Sequence, residues 1–275
     1  MLIVDSQVHI WGANTPERPW PARAHAHRET PVGHQEMLRE MDAAGVHRAI
    51  IVPPSWEGDR NDLAIAAAQA HPDRFAIMGR FNPEAPDARA TIKTWMDQPG
   101  MLGMRFAFHL PVLQQPLLEG KFDWVWSAAE EHGINLMILV RQPMIAHIDS
   151  IAERHPGMKI IMDHMAVTAG KSEDEAFRDF DKLLAIAKRS NVAVKATALP
   201  NYIADEYPFR KIQEHVRKVY DAFGPKRLFW GSDVTRSKVP YRQHIDMWLQ
   251  DTPWLKEEDK AWVMGRGVCA WLGWK

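Results

Sequence analysis

Short apolar runs alternate with longer segments of helical pattern along the whole chain, and this alternation restricts the fold more than any other feature. Runs that are apolar throughout and separated by helices predict parallel strands that are buried on both faces. Each expected strand is followed by a helical segment, of which the one at Glu173–Arg189 is long. The expected strands are Leu2–Val4, Arg48–Val52, Phe75–Phe81, Met101–Phe106, Ile134–Val140, Lys159–Met162, Val192–Ala196 and Arg227–Trp230.

Eight strand–helix units close naturally into a barrel. The expected fold class is therefore α/β, a single-domain (β/α)8 TIM barrel that occupies residues 1–275. An open doubly wound sheet is the alternative, but no glycine-rich phosphate turn follows the first strand. Residues 11–33 are rich in Pro, Arg and His and too long for a simple connector, so we expect a loop over the mouth of the barrel.

Charge and composition exclude several kinds of partner. The net charge is −1, without the basic excess that nucleic acids or anionic membranes select. No apolar run approaches the roughly 18–20 residues of a membrane span, and no signal peptide is visible. A single cysteine, Cys269, suits a reducing compartment, so we expect a cytoplasmic protein. The sequence leaves the oligomeric state open, including a homo-oligomer.

Polar residues at the carboxyl ends of barrel strands point into the mouth, where the active sites of such barrels lie. Alone, each such residue has an ordinary structural explanation, for instance a helix cap for an Asp or an ion pair for Lys195. Burying all of these polar and charged groups together costs free energy, which favours the interpretation that they form a functional site. The residues expected at the mouth are Gln7, His9, Arg105, His109, Arg141, His164, Lys195 and Asp233.

Three of these strand ends carry a family resemblance. Residues Ile3–Trp11 resemble the opening strand and D-x-H-x-H motif of the second large group of the amidohydrolase superfamily. Ile160–His164 resembles the sixth strand of that group, which ends in a histidine. Arg227–Asp233 resembles its eighth strand, which ends in a catalytic aspartate. The resemblance implies a barrel enzyme with its chemistry at His9, His164 and Asp233.

Two residues depart from the pattern of that group, and both departures remove metal ligands. Gln7 stands where the first histidine of H-x-H is expected, and an amide is a poor zinc ligand beside imidazole. Arg141 stands where metal-binding members have a histidine or a carboxylated lysine, and its fixed positive charge repels a cation. We therefore expect no firmly bound cofactor. If one divalent ion, zinc or manganese, binds weakly, the expected ligands are His9, His164 and Asp233.

The departures make the chain similar to lactonase-like members of the group, related to 2-pyrone-4,6-dicarboxylate lactonase and fuconolactonase. The resemblance implies a hydrolase that opens a small anionic lactone or related cyclic ester. Asp233 would then activate water, with His9 and His164 orienting that water or the developing oxyanion. Planar guanidinium groups suit a substrate carboxylate. The expected substrate-binding residues are Arg105, Arg141, Gln7, Lys195, Arg236 and Trp11.

Two other functions stay open at this point. The same group contains metal-dependent non-oxidative decarboxylases of aromatic or muconate-type acids, although Gln7 counts against a metal held by H-x-H. A non-catalytic small-molecule binder on the same barrel is the third hypothesis, against which the retained His9, His164 and Asp233 count. Fold alone does not choose among them.

Overall fold

A computed structural model describes residues 1–22, 24–109, 111–168 and 172–275. In these residues eight parallel strands form one sheet whose spatial order follows the sequence, as expected for a TIM barrel. The α/β barrel predicted from the alternation is confirmed. The strands are β1 Val4–Val8, β2 Arg48–Ile51, β3 Phe75–Arg80, β4 Met101–Ala107, β5 Asn135–Leu139, β6 Ile160–Met162, β7 Val192–Thr197 and β8 Leu228–Gly231.

The helices that follow the strands bury one apolar face each. The longest buries Ile212, Val216, Val219 and Phe223, a spacing that places all four on one face. A π-helical turn at Trp262–Arg266 joins the last two helices. The α-helices are α1 His34–Ala44, α2 Asp62–Ala70, α3 Ala88–Thr91, α4 Pro111–Leu118, α5 Asp123–Glu131, α6 Ile145–Arg154, α7 Glu173–Ala176, α8 Phe180–Ala185, α9 Arg210–Phe223, α10 Tyr241–Leu249, α11 Glu257–Ala261 and α12 Gly267–Leu272.

Three segments differ from the sequence-based expectation. The first strand was expected at Leu2–Val4, but β1 begins at Val4 and includes the polar residues Asp5 to Gln7, which are fully buried. The single helix expected at Glu173–Arg189 is broken after Ala176, although its apolar period continues into α8 and so hid the break. The helix α4 was not expected, since Pro116 inside it weakens a helical pattern.

The Asp5 side chain joins the first and last strands of the barrel. Its carboxylate accepts hydrogen bonds from the Ser232 backbone N–H (2.9 Å), the Ser232 hydroxyl and the Tyr241 hydroxyl (2.6 Å). It also accepts from the N–H of Gln7 (2.9 Å). The fit is tight, because a Cβ on Gly231 would lie 2.6 Å from Ser6 Oγ. Asp5 is fully buried, so closing the barrel depends on satisfying this carboxylate.

We predict that Asp5→Asn lowers the free energy of unfolding by about 3 kcal/mol, because an amide nitrogen would replace an oxygen that accepts two buried hydrogen bonds. Urea denaturation followed by circular dichroism measures the change. Tyr241→Phe removes one donor from the same carboxylate, and we expect it to cost about 1 kcal/mol. Equal losses in the two variants would contradict a carboxylate shared among several donors.

Candidate active site

Three predicted residues, Gln7, Arg105 and Lys195, lie with Asp163 in a buried polar chain beneath the mouth. Lys195 is fully buried, and its Nζ lies 2.5 Å from Gln7 Oε1 and 3.0 Å from Asp163 Oδ1. Arg105 Nε lies 3.2 Å from the other oxygen of Asp163. Burial lowers the pKa of Lys195, with Asp163 acting in the opposite direction. Lys195 thus has the ion-pair partner that its ordinary structural explanation requires, and it fixes the Gln7 amide from below.

The orientation of the Gln7 amide determines which ring nitrogen of His9 carries the proton. Because Lys195 has only donors, it holds the oxygen of the amide, and Gln7 Nε2 is left 3.3 Å from His9 Nε2. His9 Nδ1 lies 2.5 Å from the carbonyl oxygen of Val52, which only accepts. A neutral His9 with its proton on Nδ1 satisfies both neighbours, since its Nε2 lone pair then accepts from Gln7.

Asp233 lies beside His9 at the end of β8. Its Oδ1 is 3.2 Å from His9 Nε2, yet among the described residues it has no partner of hydrogen-bond geometry. Its Oδ2 is 3.5 Å from a terminal nitrogen of Arg236. Although burial acts to raise it, the pKa of Asp233 is lowered, and the charge of Arg236 is among the causes. A buried, ionised carboxylate oxygen therefore faces the mouth without a donor.

The alternative explanation of Asp233 as a helix cap finds no support. The short 3₁₀ helix Val234–Arg236 follows it, but the Asp233 side chain makes no capping hydrogen bond. The Ser232 hydroxyl accepts from the N–H of Val234 instead.

The backbone is strained where β6, β7 and β8 end. His164, Ala198 and Asp233 all have left-handed conformations, with φ of 53°, 58° and 51°. Met165 and Ala166 share this conformation. Such residues cost about 1–3 kcal/mol each and cluster at functional sites, which supports a site at this end of the barrel.

His164 follows β6 at the mouth of the barrel. Its Nδ1 is 2.6 Å from the Thr197 hydroxyl, which leaves Nε2 for another partner. Burial lowers the pKa of His164 to about 3, so the imidazole is neutral at ordinary pH. It lines a cavity of about 210 Å³ together with His109, Arg141, Tyr202 and Arg236. The buried Tyr202 hydroxyl has no partner among the described residues.

The predicted residue Trp11 begins the loop of residues 11–33 and lies in an aromatic cluster. Trp11 is buried and contacts Trp56 edge-on, with ring centroids 5.3 Å apart. Trp56 also contacts His27 and His9, at 4.5 and 5.7 Å. His27 Nδ1 is 2.9 Å from the Thr235 hydroxyl, which brings this loop to the end of β8. The cluster orients both histidines toward Asp233.

One group of described residues has a donor set that suits a metal ion. Ligand atoms of His9, His27 and Asp233 all lie within 4.8 Å of one another. Ligand atoms around a tetrahedral zinc lie about 3.4 Å apart, close to the 3.2 Å between His9 and Asp233. These residues fit one divalent ion in spacing, but the Gln7 amide competes for the His9 lone pair. Of the ligands expected from the resemblance, His164 is not in this group.

Sequence reasoning missed His27. It also did not identify Asp163 as the carboxylate that pairs with Arg105 and Lys195. The signal for His27 was the His-rich composition of residues 11–33, but nothing in that loop's sequence fixes which histidine turns inward. Asp163 precedes His164, so a role at the mouth could have been inferred from its position. Its pKa is lowered by Lys195 and Arg105, against the effect of burial.

The fold and these strand ends match a known family. The family model described as amidohydrolase, Amidohydro_2, matches residues 4–266, and the chain belongs to this family. An amidohydrolase of Burkholderia multivorans with bound zinc superposes with a TM-score of 0.82 at 18% identity, covering 99% of each chain. That likeness concerns the fold.

Two relatives have named activities. The L-fucono-1,5-lactonase of Burkholderia ambifaria is 26% identical over 249 residues, which cover 86% of this chain and 81% of that protein. The 4-sulfomuconolactone hydrolase of Hydrogenophaga intermedia is 25% identical over 238 residues, covering 85% and 74%. The chain is thus an amidohydrolase-family protein that is distantly related to lactonases.

We predict that Gln7→His tightens zinc binding by about tenfold or more, because it adds an imidazole and removes the amide that occupies His9 Nε2. Titration with zinc, followed by calorimetry, measures the affinity. Gln7→Met is the matched control, since it frees His9 without adding a ligand and should tighten binding less. Equal zinc affinity in the parent and both variants would contradict this competition.

Proposed function

We propose that this protein hydrolyses a small anionic lactone or related cyclic ester, with Asp233 as the base that activates water. The observation that carries the proposal is the Asp233 oxygen that is buried, ionised and without a donor beside an arginine-lined cavity. An ionised carboxylate oxygen without a donor can accept a hydrogen bond from a water molecule and take its proton as the water attacks. Distant lactonase relatives agree with this class of reaction.

The proposed reaction proceeds in two steps. Asp233 Oδ1 takes a proton from water as the water oxygen bonds to the lactone carbonyl carbon, which gives a tetrahedral oxyanion. Nearby donors then stabilise that oxyanion, and the best placed are His164 Nε2 and the Tyr202 hydroxyl. Burial keeps the pKa of Tyr202 well above its usual value, so this hydroxyl stays a donor.

Collapse of the intermediate breaks the bond between the acyl carbon and the ring oxygen. The proton on Asp233 passes to the leaving alkoxide, and the product is an open hydroxy acid. The new acid loses a proton at neutral pH, so each turnover releases one proton. The neighbouring His9, fixed by Val52 and Gln7, would border the water rather than hydrogen-bond it.

Positive charge at the mouth supports an anionic substrate. Arg141 and Arg236 line the cavity, and Arg141 is exposed enough to meet a ligand from solvent. Arg105 and Lys195 lie deeper and are shared with Asp163. Contacts of Gln7, Lys195 and Trp11 with substrate remain proposals, and their burial suits support of the site better than direct contact.

A metal ion has a limited part in this proposal. If bound, it would be held by His9, His27 and Asp233 and would supply a Lewis acid and a more acidic water. Competition from Gln7 and the charge of the nearby arginines both favour weak binding of the metal ion.

In the described residues, no helix is long and apolar enough to cross a membrane. A cytoplasmic location remains a prediction.

We predict that Asp233→Asn keeps its fold and loses about 10²–10⁴-fold in turnover, the usual contribution of a general base. Asn tolerates the left-handed conformation as well as Asp does, so backbone strain does not change. Turnover is assayed by proton release from carboxylated five- and six-membered lactones, with a thermal melt on the same sample. Carbon dioxide release instead would indicate the decarboxylase, and no turnover of any acid would indicate the non-catalytic binder.

The matched control is Asp221→Asn, which alters an exposed aspartate on α9 and should change neither the melt nor turnover. An Asp233→Asn enzyme that melts like the parent and keeps more than about a tenth of its rate would remove Asp233 from the base role. His9 or His164 would then be the base.

We predict that Arg141→Met raises the Michaelis constant for a carboxylated lactone by about 10–100-fold, because it removes a charged hydrogen bond. Arg105→Met should in addition lower the melting temperature, since Asp163 loses a buried partner. Arg154→Met, an exposed arginine on α6, serves as the control. Steady-state kinetics on all three variants test this, and an unchanged constant in Arg141→Met would contradict it.

A further inference from the structure

A second pair of arginines lies at the ends of β3 and β4. Arg80 and Arg105 are directly paired in the parallel register of these strands, so their side chains leave the sheet on the same side. The Arg80 side chain is only 10% exposed. Two guanidinium groups are therefore held side by side in a region that is largely closed to water.

Arg80 has little to balance its charge. Its Nε and one terminal nitrogen are buried and have no hydrogen-bond partner among the described residues. The other terminal nitrogen is 3.5 Å from Asp59, whose side chain is 46% exposed. Arg105 has Asp163 as its partner, but Arg80 does not reach that carboxylate within ion-pair distance. Burial and the charge of Arg105 lower the pKa of Arg80 to about 10.

Both arginines line a cavity of about 50 Å³. Phe106, Phe108 and Phe122 form apolar walls, and the exposed Asn82 stands at its edge. No described residue that lines this cavity also lines the one at His164. The space admits a few water molecules or one carboxylate group, but not a whole lactone.

An anion would balance the charge of this arrangement and give Arg80 a hydrogen-bond partner. A buried cation without a partner is costly, and removing its hydrogen bonds to water costs more than a folded protein tolerates without compensation. Planar carboxylates complement guanidinium groups in charge and shape. Aromatic walls would exclude water and strengthen the attraction.

We propose that the Arg80–Arg105 cavity binds one carboxylate group, separately from the cavity at His164. The group is either an acidic arm of the substrate or a free small carboxylate. The first source rests on the proposed lactone hydrolysis, whereas the second does not. Arg80 is then a binding residue that no strand-end motif of the sequence reveals.

The test is calorimetric titration with sodium acetate at constant ionic strength. We expect Arg80→Met to weaken acetate binding by about tenfold or more, through loss of a charged hydrogen bond. Arg60→Met alters a neighbouring exposed arginine and should leave binding unchanged. Asp59→Asn should tighten it, because the rim carboxylate repels an anion. In Arg141→Met, acetate binding at Arg80 should persist, which separates the two cavities.

Two results would overturn the proposal. One is equal acetate affinity in the parent and in an Arg80→Met protein that melts like the parent. The other, which needs no Arg80 variant, is an unchanged or weaker affinity in Asp59→Asn. Neither measurement uses turnover, so failure here is distinct from failure of the lactonase proposal. If acetate competes with a carboxylated lactone, the cavity takes the substrate arm; if acetate binds without competing, it takes a free carboxylate.

Discussion

The barrel depends on one buried carboxylate. Asp5 accepts hydrogen bonds from β1, from the turn after β8 and from α10, and so closes the sheet where the first and last strands meet. The same closure places Gln7 and His9 of the first strand beside Asp233, whose N–H bonds the Gln7 carbonyl oxygen (3.0 Å). The chemistry of the mouth is therefore built directly on the seam of the barrel.

Positive charge inside the mouth is arranged at two depths. Lys195 and Arg105 lie low and share Asp163, which balances part of their charge and keeps Gln7 oriented. Arg141 and Arg236 lie at the rim, where their charge is available to a ligand. The cationic residues predicted from the sequence therefore include two kinds: buried groups that hold other site residues in place, and groups at the rim that a ligand can reach.

The fold could be predicted from periodicity, because alternation of apolar runs and helices is a local property of the chain. All eight strands were found, and β1 was misplaced because only a closed barrel gives Asp5 its donors. Strand-end positions indicated Asp233, His164 and His9 as candidate site residues, and their roles stay predictions. Loop and cross-strand relations could not be found this way: His27 reaches Asp233 through an irregular loop, and Arg80 matters through its register with Arg105.

The left-handed corners at His164, Ala198 and Asp233 bear on how such an enzyme can evolve. A β-branched or bulky residue is strongly disfavoured in this left-handed conformation, in addition to any chemical loss. Arg141 at the rim is not restricted in this way, because its backbone is extended. Genetic drift should accumulate at the rim faster than at the corners, so that descendants of this barrel change what they accept long before they change what they do to it.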